Sequence, residues 1–207
     1  MVQTADVNWT TLDLDELLAA IWSSLTTASR EPAGPFRTAA LATVSAAGPA
    51  VRTVVLRDAD RTVRALTCFT DVRSAKVAEI RLQPRVQWLF YDPTARVQFR
   101  MSGEATVRHD DPESHAAWKS LPPVARREYA AAQAPGSPLA ASPPDAEAPA
   151  TLDSPEPFGD ENHCRVHFAV LRAAIDEIDW LRLDPTSHRR ARFKWTGANF
   201  AGAWLTP

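Results

Sequence analysis

The chain has 207 residues, 45% hydrophobic and 23% charged, with 23 Lys/Arg against 25 Asp/Glu. That suits one soluble globular domain, or one domain plus a small appendage, able to bury a sizeable core. The formal charge of -2 argues against a general nucleic-acid binder, and no apolar run approaches the ~20 residues that span a bilayer.

The N-terminus, Met1 to Thr10, lacks the basic and apolar regions of a signal peptide, which sets the expectation of a cytoplasmic protein. Residues 13–25 read as an amphipathic helix: Leu14, Leu17, Leu18, Ile21, Trp22 and Leu25 recur at helical spacing, and Asp13 with Glu16 makes a capping box. The helix is expected to pack on the sheet or against a partner subunit. Ala28 to Pro35 is a linker.

Short β-rich runs follow. Thr38 to Val44, Ala50 to Arg57 and Val63 to Thr70 read as strands joined by tight turns, including one at Asp58 to Arg61, so antiparallel pairing is expected. A helix opens after Ser74 and ends before Pro84. Val86 to Tyr91 and Arg96 to Val107 resume the sheet, with Gly103 marking a bulge or bend. From residue 52 to 103 the chain holds ten Lys/Arg and five Asp/Glu, a basic bias that points to an anionic ligand. Trp88, Phe90 and Phe99 are core candidates.

Two helices are then expected, from Asp111 to about Ser120 and from Pro122. Gln133 to Pro157 holds seven of the 17 prolines among Ala, Ser and Asp, and reads as a mobile surface excursion within a single domain spanning 1–207. His163 to Leu171, Ile175 to Leu183 and Arg189 to Trp195 complete the strands. Cys68 and Cys164 fit no metal or redox spacing. His163 and His167 share a strand face but lack the further ligands a metal needs, so no metal is expected.

Ser74-Ala75-Lys76 is the most specific step. A helix start beside a hydroxyl and an ammonium offers N–H groups and a positive dipole end, which makes a phosphate seat. A capped surface helix with a solvated lysine gives the same pattern, so the step alone decides nothing.

Its neighbours decide more. Arg52-Thr53-Val54-Val55-Leu56-Arg57, then Phe69-Thr70, then Ser74-Ala75-Lys76, then a strand carrying Gln98 resembles the pyridoxamine 5'-phosphate oxidase family of flavin-binding split barrels, over roughly residues 36–108. The resemblance implies a mainly β protein with peripheral helices: an antiparallel six-stranded split barrel binding flavin mononucleotide (FMN) at a homodimer interface. It also implies oxidase or reductase activity on a small molecule. Arg52 to Arg57, Phe69, Thr70, Ser74, Ala75, Lys76 and Gln98 carry over as cofactor-binding positions, and Arg192 matches an arginine that reaches the flavin ring region. Trp180 or Leu181 falls where the family places a ring-side Trp.

Three departures stand out. Arg57 replaces the usual Lys. Ala75 replaces an Arg, leaving Arg73 or another arginine to supply that charge. Leu121 and Ala125 stand where the oxidase holds its substrate phosphate, while Arg190 and His188 lie near the places of a substrate-binding Arg and His. These shift the expectation away from pyridoxamine phosphate itself. Two rivals remain open at this point: a deazaflavin-dependent reductase of the same fold, and a non-catalytic flavin-binding module.

Overall fold

The computed structural model describes residues 7–139, 164–185 and 187–207. Its described residues group into two compact units. One is drawn from Met1–Cys68, Glu79–Thr106 and Leu171–Pro207, the other from Phe69–Ala78 and Val107–Val170.

The first unit opens with helix α1, Leu14–Arg30. The capping box forms as the sequence requires: Glu16 N–H donates to Asp13 at 2.9 Å, and Asp13 N–H donates to Glu16 at 3.0 Å. The helix runs five residues past the expected end, and Glu31 then turns extended, the conformation a residue before Pro32 prefers. Leu17, Ile21, Trp22 and Leu25 are buried, and Thr26 Oγ1 ties the helix to the Ala59 carbonyl at 2.9 Å.

Strands β1 (Thr38–Ser45) and β2 (Gly48–Val55) form a tight hairpin, with Gly48 at a positive φ of 122°. The expected turn at Asp58 contains instead a short strand, β3 (Asp58–Asp60), paired with β4 (Ala65–Asp71). β5 (Arg85–Asp92) and β6 (Val97–Arg108) pair from Arg85↔Glu104 to Asp92↔Val97. Val86, Trp88 and Phe90 from one strand and Val97, Phe99 and Met101 from the other are buried, as alternation dictates. Gly103 marks a close backbone approach: a Cβ there would lie 2.0 Å from the Ala174 carbonyl oxygen.

The two strands expected across 163–183 are one, β7 (Phe168–Arg182). His163 lies outside the described residues. β8 (Arg189–Trp195) follows β7, and β9 (Phe200–Leu205), which the sequence does not announce, pairs with β8 from Arg190↔Leu205 to Trp195↔Phe200. The sheet order is β2-β1-β5-β6-β7-β4-β3, with β8 on β7 and β9 on β8. The fold is thus mainly antiparallel β with peripheral helices, and short β3 and the β8–β9 pair bring the strand number among the described residues to nine.

The second unit contains the end of β4, the start of helix α2 (Ala75–Leu82), α3 (Pro112–Ser120) and α4 (Pro123–Arg126), which passes into a 3-10 turn at Arg127–Tyr129. Its core is Trp118, Leu121, Tyr129, Cys164, Phe168 and Val170. Of the expected excursion at 133–157, residues 133–139 are described and carry no helix or strand; the rest lies outside the described residues. Among the described residues no helix is long and apolar enough to cross a membrane.

Candidate functional site

In the second unit, β4 ends on Thr70 and Asp71, and the chain turns at once into α2. Thr70 and Ser74 are each only 4% exposed. Burying two hydroxyls is unfavourable unless they are bonded, and both are. Their oxygens lie 3.1 Å apart, and Lys76 Nζ donates to Thr70 Oγ1 at 2.9 Å and to Ser74 Oγ at 3.1 Å. The Ser74 carbonyl accepts the Val77 N–H at 3.0 Å, so Ser74 sits at the helix entrance. One ammonium, two hydroxyls and a helix N-terminus therefore converge, a donor set that suits a phosphate.

Ala75 is exposed and contributes no charge. Arg73 does not replace the missing arginine: Nε and Nη2 bond Asp71 at 3.0 and 2.6 Å, while Nη1 and Nη2 bond the Ala132 and Ala131 carbonyls. Burial raises the Asp71 pKa, but the Arg73 side-chain and backbone hydrogen bonds outweigh it and hold the carboxyl below its ordinary value. Phe69, from the same strand end, packs edge-on against Phe168 at 5.1 Å, within the second unit's aromatic core. Leu121 is buried in that core and Ala125 packs on it, so both positions are apolar packing sites.

In the first unit, Arg52 is held by an acid. Its Nη2 donates to Glu79 Oε2 at 2.7 Å, and Nη1 bonds Thr43 Oγ1. The Arg52 charge, expected to meet the ligand, is balanced by Glu79. Val54 and Leu56 point into the core, Thr53 is exposed and Val55 half-buried, so only part of the segment presents side chains outward. The Arg57 N–H donates to the Thr67 carbonyl at 2.8 Å. Burial and then the Arg57 charge lower the pKa of Arg37.

Gln98, half-buried on β6, faces Tyr91 across the ladder, and Arg100 faces Leu89. Arg192 stands opposite Asp179. Asp179 is the residue that sequence reasoning missed. It is 3% exposed, and it accepts Arg190 Nε at 3.1 Å, Arg190 Nη2 at 2.8 Å and Arg100 Nη2 at 2.8 Å. Arg192 Nη2 lies 3.6 Å away. Burial raises the Asp179 pKa, yet the Arg190 and Arg100 hydrogen bonds carry it below the ordinary value, and Asp179 raises that of Arg190. The available signal was the alternation Arg190-x-Arg192-x-Lys194, which puts three cations on one strand face.

Trp180 is fully buried against Trp9 and Trp204, whereas Leu181 shares the Asp179 face and is half-buried. Of the pair considered from sequence, Leu181 is the one a ligand on that face can meet. His188 accepts the Asp184 N–H at 3.1 Å, and His167 contributes backbone bonds to Cys164 and Val72. Among the described residues no group of three His, Cys, Asp or Glu could hold a metal.

Residues 19–109 match the family model of the pyridoxamine 5'-phosphate oxidase FMN-binding domain. No curated protein sequence matches the chain. Among solved structures, a pyridoxamine 5'-phosphate oxidase-related, FMN binding protein from Nostoc punctiforme is similar at 24% identity, covering 95% of this chain and 100% of that one, with a TM-score of 0.69. PhzG from Burkholderia lata, solved with tetrahydrophenazine-1-carboxylic acid, is similar at 18% identity over 96% and 98%, TM-score 0.66. A relative of general stress protein 26 from Clostridium acetobutylicum is similar at 10% identity over 86% and 95%, TM-score 0.54. At these identities the structures show a shared fold. The resemblance read from the sequence holds.

Proposed function

We propose, for a chain whose residues 19–109 match the pyridoxamine 5'-phosphate oxidase FMN-binding domain, that it binds FMN and is an oxidoreductase of a small molecule. The observation that carries this reading is the Thr70–Ser74–Lys76 cluster at the start of α2, inside the matched segment. A phosphate there accepts from the ammonium, from hydroxyl protons and from first-turn N–H groups. Lys76 supplies the charge, while Thr70 and Ser74 fix its position. The ring-region roles that the resemblance gives Gln98 and Arg192 belong to the same proposal. When bound, FMN supplies the redox chemistry, and the protein's part is binding and orientation.

The buried Leu121 and the partly buried Ala125, both apolar, support a substrate other than pyridoxamine phosphate, since a phosphate needs paired charges or donors where these two residues offer none. The working form is proposed to be a cytoplasmic homodimer. Support comes from one sheet face of the first unit, where Val51, Val44, Leu89 and Tyr91 are exposed large side chains sharing a side through the Ala42↔Val51 and Ala40↔Leu89 pairs. A second copy would cover such a surface twice about one axis.

The test is a titration of purified protein with FMN followed by flavin fluorescence, and then reduction of the bound flavin and its reoxidation by added acceptors. Binding with turnover supports the reading. Binding without turnover against any donor or acceptor would reduce it to a flavin carrier.

A further inference from the structure

We infer that Arg100, Arg190 and Arg192, gathered around the Asp179 carboxylate, form a binding site for a carboxylate-bearing small molecule. The inference rests on the flavoprotein reading for its meaning, because it names the substrate class of that site, but its geometry stands by itself within the first unit.

Charge is the first argument. One carboxylate needs one guanidinium to balance it, and Asp179 has two at hydrogen-bond distance and a third at 3.6 Å. The wider group adds Lys194 and Glu177, which are 3.6 Å apart, with Glu177 also 3.6 Å from Arg192. Four cations thus face two anions, and two positive charges remain unbalanced. Like charges held this close repel, and a further anion joining them relieves that repulsion.

Hydrogen bonding is the second. Asp179 is buried and both its oxygens are engaged, so it can take no further donor easily. The Nε atoms of Arg100 and Arg192 are buried and make no hydrogen bond among the described residues, the Arg192 Nε having Glu177 Oε1 3.6 Å away. Buried donors without acceptors are rare in folded proteins, so the Arg100 Nε calls for one. The guanidiniums are nevertheless reachable, since the Arg100, Arg190 and Arg192 side chains are 37%, 25% and 36% exposed.

Shape is the third. The donors are guanidinium edges on the neighbouring strands β6 and β8, held in place by a planar carboxylate on β7. Planar edges of this kind match the two oxygens of a second carboxylate. Asp179 is a positioning residue: it orients the arginines and leaves their remaining N–H groups for the ligand.

Benzoate serves as the probe, with benzamide as its uncharged shape control and inorganic phosphate as the competing anion, all measured by calorimetry on FMN-loaded protein and on flavin-free protein. Benzoate is expected to bind both forms, and Arg100→Gln and Arg190→Gln should each weaken it about tenfold, the effect of losing one charge-assisted contact. Benzamide and phosphate should bind more weakly than benzoate. FMN affinity of the two variants should stay at the wild-type value. Should a Gln variant fail to fold by circular dichroism, Arg100→Lys and Arg190→Lys keep the charge and lose the planar edge, and weaker benzoate binding is again expected. No benzoate binding, binding unmoved by the variants, equal binding of benzamide, or tighter binding of phosphate overturns the inference. Failure of FMN to bind while benzoate still does overturns the flavin reading alone.

Discussion

Arg52 and Glu79 form a half-buried ion pair, 2.7 Å between Nη2 and Oε2, with Thr43 bonded to the same guanidinium. The charge that looked available for a ligand in the sequence is balanced within the protein. Lys76, at the entrance of α2, donates to the Thr70 and Ser74 hydroxyls. Lys76→Ala should therefore weaken FMN binding by about ten- to a hundredfold, the cost of a lost charge-assisted contact. Arg52→Ala should weaken it less, and Lys119→Ala, on the exposed side of α3, should leave it unchanged. Equal losses for Lys76→Ala and Lys119→Ala would remove the phosphate from the α2 entrance.

The Asp179 network predicts a particular acid response. Its carboxyl titrates below the ordinary aspartate value in the folded protein, so the folded state binds fewer protons than the unfolded state near that pH. The stabilisation is complete above the unfolded value, about 3.9, and is lost as pH falls through the lower folded value. Asp71, lowered by Arg73, acts in the same sense. Melting temperatures measured from pH 6 down to pH 3 should fall more steeply for wild type than for Asp179→Asn. Parallel curves would show that Asp179 contributes no linkage.

Gly103→Ala should be strongly destabilising. The added Cβ would meet the Ala174 carbonyl oxygen at 2.0 Å and its carbon at 2.7 Å, both backbone atoms that cannot swing aside. Forcing strands apart in a packed core costs about 1–3 kcal/mol or more, or roughly 2–4 °C of melting temperature per kcal/mol in a protein of this size. A variant melting with wild type would mean that the β6–β7 approach is looser than described.

The exposed Val51, Val44, Leu89 and Tyr91 face predicts a dimer. Light scattering on a sizing column should give twice the single-chain mass, and Val51→Lys with Leu89→Lys should shift the protein toward monomer by placing like charges across a two-fold axis. A wild-type monomer at micromolar concentration would contradict this.

Much of this was legible in the sequence. The tendency of strand aromatics to be buried placed Trp88, Phe90 and Phe99 in the core, and Asp13 with Glu16 fixed the start of α1. The Ser74–Lys76 step landed at a helix entrance because a hydroxyl before a helix-forming run is a local signal. Pairings between distant residues were not legible. Glu79 meets Arg52 across 27 positions, and Arg100 meets Asp179 across 79; no local pattern announces such partners. β9 was missed because its Gly and Ala residues carry little strand signal and its pairing with β8 supplies the order. The break expected between two strands near residue 173 is absent because β7 continues through it, with the Ile175 N–H donating to the Arg64 carbonyl at 2.8 Å.

The central claim is that the α2 entrance holds the phosphate of FMN. Its most direct test is a fluorescence titration of wild type and Lys76→Ala with FMN and, in parallel, with riboflavin, which has the ring system and no phosphate. The account predicts that wild type binds FMN well above riboflavin and that Lys76→Ala erases most of that difference. Equal affinity of wild type for the two flavins, or a preference for FMN that survives the loss of Lys76, would contradict it.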